Sequence, residues 1–107
     1  MIRTAVVLAV TAILLVPLPA WAVTLARGGQ AVAPIVVARD ATLPEQTAAR
    51  ELAGYLGKVT GGAFAVVDEA EAGQGQGRVY VGQTQFARGK GIDVEKLGPE
   101  EWVVRTV

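Results

Sequence analysis

The 107-residue chain contains no cysteine, no histidine, no serine and no asparagine. Serine and cysteine nucleophiles are therefore excluded, as is a histidine general base. Transition-metal centres built on imidazole or thiolate are excluded too. There can be no disulfide and no lipid-modified cysteine, and without asparagine there is no N-glycosylation acceptor. Any chemistry would fall to Asp, Glu, Lys, Tyr or Thr, and no cofactor or metal is expected. Charge of either sign is also not in excess, with ten basic and ten acidic side chains. That balance argues against nucleic acid and against anionic membrane surfaces, both of which need clustered Lys and Arg. The densest basic group, Arg88, Lys90 and Lys96, reads as a solvated loop.

The one long hydrophobic run lies at the start. Arg3 is followed by apolar residues from Ala5 to Val16, broken only by Thr11. Pro17 and Pro19 end the run, and Ala20-Trp21-Ala22 has the small-x-small pattern of a signal-peptidase site. Residues 1–22 are therefore expected to be a signal peptide cleaved after Ala22. The alternative, an uncleaved anchor, needs roughly 18 or more apolar residues in a row. The mature chain is expected to be exported, periplasmic or extracellular, and free of the membrane. Val23–Val107 makes one small domain at most, of a size that buries only about 60% of its unfolded surface.

Within that domain the segment Ile35–Val67 carries the strongest fold signal. It reads as a strand (Ile35 to Ala38), a helix and a second strand (Ala63 to Val67). Thr42 with Glu45 three residues on fits a capping box, and Pro44 is tolerated in the first helical turn. Ala48, Leu52, Tyr55, Leu56 and Val59 recur at spacings of three and four, which predicts an apolar stripe facing a sheet. Gly61-Gly62 predicts a left-handed C-cap. Gly28-Gly29 between apolar runs predicts a tight hairpin, and Pro34 an edge or bulge position before the main strand. Arg78 to Val81 reads as a strand, followed by a short helix capped by Thr84 and a Gly89-Lys90-Gly91 turn. Trp102 to Val107 alternates like a final strand, which suggests that the domain is incomplete at its C-terminal side.

Several motifs invite a functional reading and lose it on spacing. Gly73, Gly75 and Gly77 open a strand, whereas a phosphate-cradling fingerprint follows a strand and opens a helix. Gly89-Lys90 has its upstream glycine misplaced, and Gly91 stands where a P-loop needs Ser or Thr. Asp68, Glu69 and Glu71 lack the spacing of a calcium loop and read as solvated loop charge. Glu100 and Glu101 are adjacent, so in an extended segment they point to opposite faces. Tyr55 and Tyr80 read as core aromatics with wet hydroxyls. Trp102 offers a face for a sugar ring or a neighbouring domain and is the one candidate contact residue; no catalytic residue is expected.

Three pieces of the chain carry a resemblance: "ATLPEQTAARELAGYLGKVTG", "VYVGQT" and "GID…LGPEEWVVRT". Together with the preceding hairpin they resemble the N-terminal accessory domain of secreted bacterial glycoside hydrolases. The related enzymes are α-glucuronidases, β-N-acetylhexosaminidases and α-N-acetylglucosaminidases. The resemblance implies an α+β fold, a mixed β-sheet with helices packed on it, similar in topology to zinc peptidases but without a metal centre. It implies a non-catalytic role beside a catalytic barrel of the same parent protein, whose carboxylates lie outside this chain. A free-standing exported module binding a glycan or a protein is the alternative.

Overall fold

The computed structural model describes residues 23–73, 75 and 77–107; the expected signal peptide and its cleavage site lie outside the described residues. The chain is α+β. Strands β1 (Ala26–Arg27) and β2 (Gln30–Ala31) form an antiparallel ribbon, with Ala26 opposite Ala31. Its turn is Gly28-Gly29, with φ of 58° and 76°. Positive φ at both central residues is the geometry that matches strand twist, and glycine reaches it without strain.

A second sheet holds β3 (Ile35–Val37), β4 (Val66–Asp68) and β5 (Val79–Val81), all parallel, in the order β4-β3-β5. Ile35 pairs with Val66 on one side and Val79 on the other. Pro34 stands just before the central strand, where its missing N–H takes no bond from the ladder. Its carbonyl still accepts from the Val79 N–H at 3.0 Å.

Helix α1 (Leu43–Thr60) connects β3 to β4. The Thr42 hydroxyl accepts from the Glu45 N–H, the Glu45 carboxylate accepts from the Thr42 N–H, and Gly61 closes the other end at φ 79°. Both caps thus form as the sequence predicts. The predicted apolar stripe forms only in part, through Leu52 and Leu56. Ala49 is the fully buried helix residue, with Leu52, Ala53, Leu56 and Thr60 half-buried beside it. Ala48 is exposed, Tyr55 is 66% exposed and Val59 is 82% exposed. At 100° per residue, the buried face is rotated by roughly 60–70° from the stripe read off the sequence.

The acidic segment expected as a loop is instead the short helix α2 (Glu69–Ala72), with the Asp68 carboxylate accepting the Ala70 N–H at 2.7 Å. Helix α3 (Gln85–Gly89) follows β5, and a 3₁₀ turn covers Val94–Lys96. The segment Trp102–Val107, expected as a strand, takes no regular secondary structure, and no backbone group in it is hydrogen-bonded among the described residues. The strand pattern is present there and the partner is not, so no ladder forms. The core is small. Ile35 and Val36 are fully buried, with Ala33, Ala38, Ala49, Ala87 and Thr84 around them.

Candidate functional site

The strand order sets where a site would lie. The central strand β3 comes first in the chain, and its successors β4 and β5 flank it on opposite sides. In parallel α/β sheets, the carboxyl ends of strands beside such a reversal frame the ligand crevice. Here that edge gathers the loop after β3 (Ala38–Thr42), the end of β4 with Glu69, and the loop after β5 (Gly82-Gln83-Thr84).

Two carboxylates lace these loops together. Glu45, on the first turn of α1, accepts the Gln83 N–H through Oε2 at 2.8 Å, across 38 residues of sequence. Its Oε1 takes the Thr42 N–H at 3.1 Å and the Thr42 hydroxyl at 2.8 Å. Gly82 makes room for it. Gly82 has φ 82°, and a Cβ there would overlap the Glu45 carboxylate. Glu69 is 7% exposed. Its two oxygens accept the Gln85 N–H at 2.8 Å and the Phe86 N–H at 3.0 Å, the first free donors of α3. The buried Thr84 hydroxyl takes a third, from Ala87, at 3.1 Å.

Gln83 extends the lacing outward. Its Nε2 donates to the Ile92 carbonyl at 3.1 Å and its Oε1 accepts the Val94 N–H at 2.6 Å. Behind α3, the Tyr80 and Phe86 rings stack with centroids 4.2 Å apart and Lys90 Nζ over the Phe86 face. The Tyr80 hydroxyl, read from sequence as wet, instead donates to the Gly75 carbonyl at 2.9 Å and accepts its N–H at 3.0 Å.

The electrostatics follow from these bonds. Burial pushes the Glu45 carboxyl up, but the Thr42 hydroxyl, the Gln83 N–H and the Thr42 N–H outweigh it and hold it below its ordinary value of 4.5. A carboxyl lowered in the folded state stabilises that state above its unfolded value and loses the contribution as pH falls through the folded one. Stability measured by urea unfolding should therefore decline below about pH 4.5, and Glu45→Gln should flatten part of that decline. An acid limb identical in the variant would show that the carboxylate contributes nothing.

Chemically, both carboxylates act as acceptors for backbone N–H groups, which is positioning work. Glu69 therefore corrects the expectation of solvated charge at 68–71. Glu71, Glu100, Glu101, Arg88, Lys90 and Lys96 are exposed as expected. Among the described residues no group of three acidic side chains is placed to hold a metal, and no helix is long and apolar enough to cross a membrane. Trp102 is 80% exposed, and none of the hydrogen bonds made by Glu45 and Glu69 involves it. An open depression of about 470 Å³ is lined by side chains of both signs, Arg88, Asp93, Glu95 and Lys96 among them. Compared with known proteins, the chain matches no family model, no curated protein and no solved structure.

Proposed function

We propose that this chain is the non-catalytic N-terminal domain of a secreted carbohydrate-active enzyme of the glycoside hydrolase type. In this reading it packs against a catalytic barrel carried elsewhere in the parent protein. Its topology would be that of the β-hexosaminidase N-terminal domains. The observation that carries the reading is the outward stripe of α1. Ala48, Tyr55 and Val59 repeat at helical spacing, yet the small sheet leaves them in water. An apolar face of this kind on a secreted domain suits burial against a neighbour. The resemblance of the three sequence pieces supplies the kind of neighbour, and the use of Glu45 and Glu69 as backbone acceptors agrees with a scaffold role.

The tests separate this reading from a free-standing glycan-binding module, which the exposure of Trp102 favours. The purified chain should turn over no 4-nitrophenyl glycoside and bind no xylo- or chito-oligosaccharide saturably. Hydrolysis that persists through purification would overturn the reading. Saturable binding lost in Trp102→Ala would install the binding module in its place. Tyr55→Asp and Val59→Asp should each change the chain's own stability by no more than about 0.5 kcal/mol, because both sites are exposed. Linked ahead of a barrel from the resembled families, the same changes should lower the melting temperature of the pair.

A further inference from the structure

The segment Glu101–Arg105 points to a second copy of this chain as its partner. Exposure alternates along it: Trp102 is 80% exposed and Val104 86%, whereas Val103 is 46% and Val107 48%. Period-two alternation is the signature of a strand with two distinct faces. Val103 and Val107 are about half covered, and the Arg105 guanidinium donates to the Lys90 carbonyl at the end of α3. Trp102 and Val104 face away. The Glu101 N–H closes the preceding turn onto the Gly98 carbonyl at 3.2 Å, and from Trp102 to Arg105 the backbone makes no hydrogen bonds among the described residues. Trp102–Arg105 thus presents unpaired backbone groups, tied to the domain at Arg105 and open to pairing.

The residues select the partner through their own register. Turned antiparallel about Val103, the segment places Glu101 opposite Arg105 of the second copy, and Arg105 opposite its Glu101. Trp102 then faces Val104, twice, and Val103 faces itself. Opposite charges and aromatic–β-branched pairs are the favourable cross-strand combinations. Other registers lose these pairs. Centring on Val104 puts Glu101 against Val107 and Val103 against Arg105, and centring on Arg105 sets the two guanidinium groups face to face. Centring on Trp102 brings in Glu100, whose φ of 65° is a left-handed value that a strand does not take, and leaves Arg105 outside. A two-fold interface of this kind is self-complementary by construction. The guanidinium carries five N–H donors, so Arg105 reaches the partner carboxylate without leaving the Lys90 carbonyl. We propose that Glu101–Arg105 forms a two-fold antiparallel β-ribbon that joins two copies of the chain.

The absence of native cysteine makes the test direct. Val103→Cys puts one thiol on the two-fold axis, where facing Cα atoms lie about 4.5–5.5 Å apart, inside the disulfide range. Under mild oxidation the full chain carrying it should form a disulfide dimer. Trp102→Cys and Val104→Cys fall out of step with themselves across the ribbon and should cross-link at least about tenfold more slowly. In the Val103→Cys background, either Glu101→Arg or Arg105→Glu should cut the rate by a similar factor. Mixing those two variants should restore it, because each then meets its opposite charge. The substituted residues lie outside the core, and far-UV circular dichroism checks the fold of each. A flat cross-linking profile, or indifference to charge reversal, would overturn the ribbon. So would a monomer at all concentrations whose 102–107 amides are protected from exchange, because the segment would then sit on this chain's own sheet.

Discussion

Glu69→Ala should lower the unfolding free energy by about 3 kcal/mol, the largest effect of any single charged residue described. The carboxylate is 7% exposed and accepts two backbone N–H groups at the start of α3. A bond to a charged acceptor contributes roughly 1.5–3 kcal/mol, and removing the acceptor leaves two donors that must find water. Water entering the vacated space recovers part of that loss, which is why the expectation lies near the lower end of the sum. For a domain of this size each kcal/mol moves the melting temperature by roughly 4–8 °C, so a fall of more than about 10 °C is expected. Glu69→Gln keeps one acceptor oxygen but turns an amide nitrogen toward the other N–H, and should cost about half as much. Thr84→Ala removes one neutral cap and should cost about 1 kcal/mol. Calorimetry of the three variants checks the order. Equal melting temperatures for Glu69→Ala and the parent chain would mean that α3 holds its place without the carboxylate.

The contrast between Glu69 and Thr84 explains what was legible in the sequence. Thr84 acts on Ala87, three residues away, and its role follows from local spacing. The same holds for Thr42 with Glu45 and for the Gly28-Gly29 hairpin. Glu69 acts on residues 16 and 17 positions later, and no local pattern announces that. The α1 stripe forms only in part for a related reason. Hydropathy spacing correctly predicts a helix, but it does not fix which way the helix turns. The Glu45 bond to Gln83, 38 residues away, accompanies that rotation and ties the same face of the helix to the end of β5. Glu45 lies on the same side of the helix as Ala49, Leu52, Ala53, Leu56 and Thr60, the residues that are covered. Tyr55 and Val59 fall outside that covered face and are exposed. Glu45 was visible in the sequence as a local capping partner, and its second oxygen does the long-range work. Trp102–Val107 shows the limit from the other side: alternation marks a strand-competent segment, but a strand also needs a partner.

That dual role makes Gly82 the second site of large expected effect. Its φ of 82° is a left-handed value, and a Cβ would overlap the Glu45 carboxylate. Gly82→Ala therefore carries two penalties. Holding a non-glycine residue in the left-handed region costs roughly 1–2 kcal/mol. Displacing the carboxylate forfeits the Gln83 N–H bond, worth roughly 1.5–3 kcal/mol for a charged acceptor. Together they should lower stability by about 3 kcal/mol. The two parts separate in a double-mutant cycle. Glu45→Ala alone removes the bond and should cost about 2 kcal/mol. Gly82→Ala introduced into that background has no carboxylate to meet, so only the backbone part, about 1 kcal/mol, should remain. The double variant should then be about 2 kcal/mol more stable than the sum of the single effects predicts. Urea unfolding of the four proteins gives the coupling, and amide exchange at Gln83 should accelerate equally in both single variants. Strict additivity would mean that Glu45 and Gly82 act independently, and the carboxylate would lose its place as the tie between α1 and the end of β5.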